Sequence, residues 1–275
     1  MSMELFYIIL LLTGAGVGFA TGLLGVGGGF ILVPIQFFLL QSLGVDPTIA
    51  LRISLGTSLA VILPTALSGA YGHYSRKTMI WKPALYMGLS GVICAFLGGS
   101  IATHIAGEFL RIIFGVVLLG VVIQMVLSQN PPNDGYKENN NLYLIFWGSV
   151  AGLMSGLLGI GGGVILVPVM ILLLGFTTLE AIGTSAAIII FTSIGGIIAY
   201  IYNGWNVSGL PPYSLGYVNL VGFIILAGMS IPMAQLGVFT AHRLPEKQLR
   251  YIFIFILVYI ALKMLGVFDC LGLPL

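Results

Sequence analysis

Two glycine clusters could place free backbone N–H groups where a small anion can bind. The clusters occupy residues 25–29 and 159–163, and each has four glycines in five positions. Each glycine costs a helix about 1 kcal/mol relative to alanine, so we expect the helix to break at both clusters. A new apolar segment starts after each cluster, and the first turn of a helix carries unpaired N–H groups and the positive end of the helix dipole. This arrangement predicts an anion-binding site at each cluster.

A purely structural role is the alternative for both clusters, because glycines also let neighbouring helices pack closely. Neither cluster is followed by Lys-Ser or Lys-Thr, so a phosphate-binding P-loop is excluded. The occurrence of the same cluster twice, at matching places in the chain, favours ligand binding over packing alone.

Two hydroxyl pairs are further candidate ligands, because a hydroxyl can donate a hydrogen bond to an oxyanion without adding a buried charge. They lie on the third apolar segment of each half of the chain. The alternative is a hydrogen bond from each hydroxyl to the carbonyl four residues earlier in its own helix. The four residues are Thr57, Ser58, Thr184 and Ser185.

One arginine and two glutamines complete the set of candidate binding residues. Arg52 lies four residues before Gly56, where a guanidinium could hold an anion or extend to the membrane surface as an ordinary interfacial side chain. Gln36 and Gln235 lie inside apolar segments, so each could contact a substrate or hydrogen-bond a neighbouring helix.

Little in the sequence favours catalysis. His73, His104 and His242 fall in separate predicted loops near the membrane surface and lack metal-ligand spacing, so we expect neither a metal nor a cofactor. The run Gly-Leu-Ser-Gly around Ser90 matches a pattern of intramembrane serine proteases, which also need a histidine base on a helix. We therefore expect no enzyme, with a protease that uses Ser90 as the remote alternative.

The composition predicts a membrane protein. Of 275 residues, 59% are hydrophobic and 7% are charged, whereas about 25% of the residues of a soluble domain are charged. No Asp, Glu, Lys or Arg occurs in 5–45, 139–179 or 181–242, and each stretch exceeds the length of about 20 residues that one membrane helix needs. Unbroken apolar runs predict an all-α polytopic protein whose partner is the lipid bilayer and not a nucleic acid.

The chain also contains an internal duplication. Residues 22–34 match residues 156–168 with only conservative apolar changes, and the Gly-Thr-Ser of 56–58 recurs at 183–185. Matches in the same order predict two repeats, and the polar stretch between them reads as an exposed linker. The predicted boundaries are 1–128 for the first repeat, 129–141 for a cytoplasmic linker and 142–275 for the second repeat.

Each repeat divides into about five apolar segments, so we expect about ten in all, or as few as eight that cross the membrane if the short ones are re-entrant. In the first repeat they cover 5–24, 30–44, 50–71, 83–104 and 109–127, and in the second 142–158, 164–176, 181–202, 214–241 and 249–268. The second segment of each repeat is short for a complete membrane crossing.

Basic residues predict that the two repeats have opposite orientations. Lys and Arg accumulate in cytoplasmic loops. The loop between the third and fourth segments is basic only in the first repeat, and the following loop is basic mainly in the second. These residues are Arg76, Lys77 and Lys82 in the first repeat and Arg243, Lys247 and Arg250 in the second. Inverted repeats with both termini outside the cell account for this exchange.

The doubled motif Gly-Leu-Leu-Gly-x-Gly-Gly-Gly-x-x-Leu-Val-Pro, each copy followed by Gly-Thr-Ser, resembles that of the TauE/SafE sulfite exporter family of membrane anion transporters. The resemblance covers essentially the whole chain. It implies export of sulfite, a sulfonate or another small organic anion across the cell membrane. It also implies that eight glycines line the conducting path: Gly25, Gly27, Gly28, Gly29, Gly159, Gly161, Gly162 and Gly163.

Broken helices in inverted repeats favour a substrate site at the membrane midplane with alternating access. A passive anion channel of the same architecture is the main alternative. The coupling ion, H⁺ or Na⁺, and the formation of a homodimer stay open at this point.

Overall fold

The computed structural model describes residues 3–127, 136, 140–243 and 246–267. Within these described residues, ten helices follow one another, five in each repeat, and one short hairpin of two strands lies before the ninth helix. The elements are α1 (Met3–Leu24), α2 (Gly29–Ser42), α3 (Pro47–Ser75), α4 (Trp81–His104), α5 (Gly107–Leu127), α6 (Asn141–Leu158), α7 (Gly163–Leu173), α8 (Thr178–Gly204), β1 (Ser214–Leu215), β2 (Val218–Asn219), α9 (Leu220–Ala241) and α10 (Glu246–Met264). The predicted all-α polytopic fold is confirmed, and the predicted linker lies largely outside the described residues.

Helix lengths separate crossing helices from partial ones. Seven of the described helices are long and apolar enough to cross a membrane. Helix α2 has 14 residues and α7 has 11, which at 1.5 Å per residue span roughly 21 and 17 Å, against a hydrocarbon core of about 30 Å. The second helix of each repeat therefore covers only part of the membrane.

The predicted segment 214–241 is wrong at its start. Residues 214–219 form a hairpin in which Ser214 pairs with Asn219, and Gly216 has the positive φ of 55° that its turn requires. Helix α9 begins only at Leu220, because the Asn219 side chain accepts a hydrogen bond from the N–H of Gly222 at 2.7 Å and caps the helix.

The two long central helices, α3 and α8, show that the repeats are inverted. Gly56 packs against Tyr200 and Leu59 packs against Gly196, so the helices run antiparallel. Ile62 and Ile189, which occupy equivalent positions in the two repeats, belong to one small buried cluster. Equivalent residues therefore meet where the antiparallel helices cross, and the axis that relates the repeats is perpendicular to the helices.

The first helix of each repeat packs against the other repeat. Helix α1 lies along α9, and α6 lies along α4. Glycines spaced four residues apart allow the backbones to touch, as in small-xxx-small contacts of membrane helices. The contacting pairs are Gly14 with Leu226, Gly18 with Ser230 and Gly22 with Ala234, and in the second repeat Gly148 with Met87, Gly152 with Gly91 and Gly156 with Ala95.

Candidate functional site

The chain between α1 and α2 and the chain between α6 and α7 are broken as predicted. We call residues 25–29 the first glycine break and residues 159–163 the second. Three glycines of each break have φ in the left-handed region, which side chains rarely tolerate. These φ angles are 64° at Gly25, 82° at Gly27, 70° at Gly28, 64° at Gly159, 75° at Gly161 and 81° at Gly162.

The two glycine breaks lie against each other. Gly29 and Gly163 are the first residues of α2 and α7. A Cβ atom on Gly29 would lie 2.6 Å from the Cα atom of Ile160, and one on Gly163 would lie 2.6 Å from the Cα atom of Val26. The fold therefore joins the helix starts of opposite repeats through direct backbone contact, and no side chain larger than glycine fits between them.

Six backbone N–H groups at this contact make no hydrogen bond to any described residue. They belong to Val26, Gly27 and Gly28 in the first break and to Ile160, Gly161 and Gly162 in the second. The N-cap residues of α2 and α7, Gly28 and Gly162, have no side chain to satisfy them. Unpaired N–H groups at two helix N-termini favour the binding of an anion.

The two serines of the Gly-Thr-Ser motifs fasten each break to the opposite repeat. Ser58 on α3 donates a hydrogen bond of 2.7 Å to the carbonyl of Gly159. Ser185 on α8 donates a bond of the same length to the carbonyl of Gly25. Both side chains are fully buried. In this arrangement the hydroxyl protons are directed to protein carbonyls, and only the oxygen lone pairs remain for another partner.

The two threonines hold the starts of α9 and α4. Thr57 Oγ1 accepts a hydrogen bond of 2.9 Å from the N–H of Asn219, and Thr184 Oγ1 accepts one of 3.0 Å from the N–H of Ile80. Both threonines are fully buried. Each bond joins one repeat to the other, as the serine bonds do.

Arg52 and Gln235 do not reach the glycine breaks. Arg52 donates hydrogen bonds of 3.2 Å to the hydroxyl of Tyr217 and to the carbonyl of Ile105, near the start of α3. Gln235 is exposed on α9, where its amide donates to Ser68 Oγ at 3.0 Å. Arg52 thus braces a helix end, and Gln235 makes the interhelical hydrogen bond that was one of its two predicted roles.

Gln36 differs from the other candidates, because the structure gives its side chain no hydrogen-bond partner. It lies buried on α2, and its Oε1 atom contacts no donor. Together with Thr57 of the first repeat and Asn219 of the second, it lines a small cavity between the repeats.

Three hydrogen-bond contacts to glycine carbonyls in and before the breaks were not predicted. Tyr200 donates a hydrogen bond of 2.9 Å to the carbonyl of Gly156, and His73 Nε2 lies 3.2 Å from the equivalent carbonyl of Gly22. Thr192 donates a bond of 2.9 Å to the carbonyl of Gly161 in the second break. His73 and Tyr200 occupy equivalent positions in the two repeats, 127 residues apart like the Gly-Thr-Ser motifs. Because the two residues are chemically different, the internal duplication in the sequence does not reveal their equivalence.

The expected placement of the histidines in separate surface loops is wrong for His73. This residue lies in the last turn of α3 and is fully buried. Its ring centroid is 5.6 Å from that of His242 at the end of α9. The reason is that α3 continues four residues beyond the predicted end at residue 71, to Ser75.

Ser90 has no catalytic partner among the described residues. Its hydroxyl is placed to donate to the carbonyls of Tyr86 at 3.0 Å and Ile145 at 3.1 Å, and no described histidine is hydrogen-bonded to it. In the part of the chain that the structure describes, no three His, Cys, Asp or Glu residues group as metal ligands.

Comparison with known proteins identifies the family to which the chain belongs. The family model described as Sulfite exporter TauE/SafE matches residues 10–264. The chain belongs to the TauE/SafE family. This TauE/SafE protein is 30% identical to a probable membrane transporter protein of Haemophilus influenzae, over 94% of this chain and 98% of the relative. It is 29% identical to one of Methanocaldococcus jannaschii, over 94% of each chain. No solved structure matches it. The protein is therefore a multi-pass membrane transporter.

Proposed function

We propose that the protein exports a small sulfur-containing or organic anion, such as sulfite or a sulfonate, across the cell membrane. The observation that carries the proposal is the contact between two helix N-termini from opposite repeats, each preceded by three backbone N–H groups without a hydrogen-bond partner among the described residues. Partial positive charge at both helix starts favours an anion there. The family's printed description, Sulfite exporter TauE/SafE, supports sulfur oxyanions as the first class to test.

Binding through backbone groups suits a transported ion. The break residues bring no cationic side chain, so the anion is held by dipoles and N–H donors and can leave again. A fixed lysine or arginine at the same depth would need a permanent counter-ion. Backbone N–H groups can also donate to oxyanions of different shapes, so sulfite, sulfonates and carboxylates are all candidate substrates.

The closed contact between the breaks supports alternating access. Backbone of the first break touches backbone of the second at Gly29 and Gly163, so an anion enters only after the two breaks separate. Rocking of one repeat against the other would open them to either side in turn. The serine bonds at Gly25 and Gly159 cross between the repeats, so at least one of them breaks during this motion.

The test is anion transport by the purified protein in proteoliposomes. Gly29→Ala and Gly163→Ala add one methyl group between the breaks at helical positions without positive φ. Gly120→Ala and Gly228→Ala are matched controls, because a Cβ atom at either site has no atom within 4 Å. We expect each break variant to lose at least about tenfold in sulfite flux, equivalent to 1.4 kcal/mol, and each control to keep normal flux.

Normal flux in both folded break variants would refute the proposed site. The panel of anions contains sulfite, sulfate, thiosulfate, sulfoacetate, taurine, acetate and chloride at equal ionic strength. Accelerated exchange when substrate is present on both sides indicates a carrier with alternating access. Flux that is insensitive to substrate on the far side indicates the passive channel.

A further inference from the structure

The cavity beside Gln36 lies between α1, α2, α3 and the start of α9. It measures about 20 Å³, which is enough for one water-sized group. Its polar wall consists of Gln36, Thr57 and Asn219, and Phe6, Leu10 and Ile53 contribute to its apolar wall. The space exists because Gly222 has no side chain. A Cβ atom there would lie 3.1 Å from Asn219 Oδ1, 3.5 Å from Gln36 Nε2 and 3.8 Å from Thr57 Cγ2.

The polar groups of this cavity offer hydrogen-bond donors. Thr57 Oγ1 accepts the N–H of Asn219, so its own proton is available, and no described residue accepts it. Gln36 is 5% exposed, and its amide has no hydrogen-bond partner among the described residues. Asn219 Oδ1 is already engaged by the N–H of Gly222. The Gln36 Oε1 atom is itself an acceptor, but Nε2 is the amide atom that lies toward Gly222 and the cavity. A ligand in the cavity therefore meets two uncharged donors, the Thr57 hydroxyl and the Gln36 Nε2 group, and binds them through an acceptor atom.

The second repeat has no counterpart of this polar wall. Met170 stands at the position equivalent to Gln36, two residues after the motif proline. Ile80 is equivalent to Asn219, because each donates its N–H to the motif threonine. Pro83 takes the place of Gly222, three residues further on. Three apolar or larger residues thus replace two polar residues and a glycine, so the polar wall is not repeated at the equivalent positions.

We propose that this cavity binds one oxygen atom of the transported oxyanion. The inference rests on the proposed function and adds a second binding position to the anion path. Gln36 lies seven residues into α2, so this position is about 10 Å from the first glycine break, on the side of the membrane where α3 begins. A water-sized cavity with two donors fits a single sulfonate, sulfite or carboxylate oxygen. Because the polar wall is not repeated at the equivalent positions Met170, Ile80 and Pro83, the protein holds its substrate differently on the two sides of the breaks.

Gln36→Met is the sharpest test, because it installs the residue of the other repeat and removes no hydrogen bond within the protein. Removal of a buried unpaired amide should leave the unfolding temperature unchanged or higher. Sulfite binding to the purified protein in nanodiscs, measured by calorimetry, should weaken about tenfold. Met170→Leu is the control in the equivalent position and should bind sulfite within about twofold of wild type.

Gly222→Ala tests the same cavity by filling it. The added methyl group fits next to Gln36 and Asn219 with little displacement and should also weaken sulfite binding, whereas Gly228→Ala on the same helix meets no atom within 4 Å and should not. Wild-type affinity in Gln36→Met would overturn the inference and leave the cavity to water. Loss of binding in Gly29→Ala with wild-type affinity in Gln36→Met refutes this pocket alone, and absence of anion binding by the wild-type protein refutes the proposed function as well.

Discussion

A glycine-to-alanine series on α1 separates close helix packing from helix propensity. Gly14 and Gly18 face the backbone of α9, whereas a Cβ atom on Gly16 has no neighbour within 4 Å. A Cβ atom on Gly14 would lie 2.6 Å from the carbonyl oxygen of Leu226, and one on Gly18 would lie 2.5 Å from the Cα atom of Ser230 and closer still to its carbonyl oxygen. All three substitutions have the same local effect on the helix, so any difference between them comes from the contact with α9.

The magnitude follows from these distances. Ordinary van der Waals contact of a Cβ atom begins near 3.4 Å, so α1 must move away from α9 by roughly 0.8 Å at Gly14 and by more at Gly18. Overpacking of this kind costs about 1–3 kcal/mol, and alanine returns up to about 1 kcal/mol of helix propensity. We expect Gly18→Ala to lose about 1–2 kcal/mol, Gly14→Ala to lose less, and Gly16→Ala to gain up to about 1 kcal/mol.

The assay is thermal unfolding in detergent at one fixed scan rate, since membrane proteins commonly unfold irreversibly. A change of 1 kcal/mol moves the midpoint by about 2–4 °C in a chain of this size class. Gly18→Ala should therefore melt several degrees below wild type, and Gly16→Ala should melt at or above it. Equal midpoints for Gly16→Ala and Gly18→Ala would refute the direct backbone contact between α1 and α9.

Three other measurements address the repeats and their bonds. Ser58→Ala and Ser185→Ala each remove one buried hydrogen bond of 2.7 Å between the repeats, so the midpoint of thermal unfolding should fall for both, by an amount that corresponds to about 0.6–2 kcal/mol; a change in only one of them would contradict the symmetric role. Tyr217→Phe removes an acceptor of the Arg52 guanidinium and should cost about 1 kcal/mol in the same assay, whereas unchanged unfolding would show that this bond contributes nothing. Single cysteines at Lys77 and Ser208, in a variant without Cys94 and Cys270, should react with a membrane-impermeant maleimide from opposite sides, and labelling from one side would refute the inverted repeats.

The sequence predicts the helices and their breaks because both depend on local composition. Clustered glycines cannot continue a helix, and apolar runs of membrane length need little tertiary information. The hairpin at residues 214–219 was not predicted, because the start of the ninth helix depends on one capping side chain, that of Asn219. A prediction from hydrophobicity alone extends this helix over the hairpin residues.

Partners across the fold could not be predicted in the same way. The four-residue spacing of Gly14, Gly18 and Gly22 signals a close helix contact but does not say that α9 of the other repeat makes it. The serine bonds have the same limit, because their acceptors are backbone carbonyls of glycines more than 100 positions away in the sequence. The Gln36 cavity depends on the missing side chain of Gly222, which no motif marks.

The first helix of each repeat packs against the other repeat, and this arrangement has a consequence for biosynthesis. Helix α1 leaves the ribosome early, yet its packing partner α9 is complete only at Ala241. At about 5–20 residues per second, the chain between them takes roughly 10–40 s to synthesise. During this interval the glycine face of α1 lacks its partner in the folded protein, α9. Neither repeat can complete its packing alone, so the tertiary structure is complete only after translation of the second repeat.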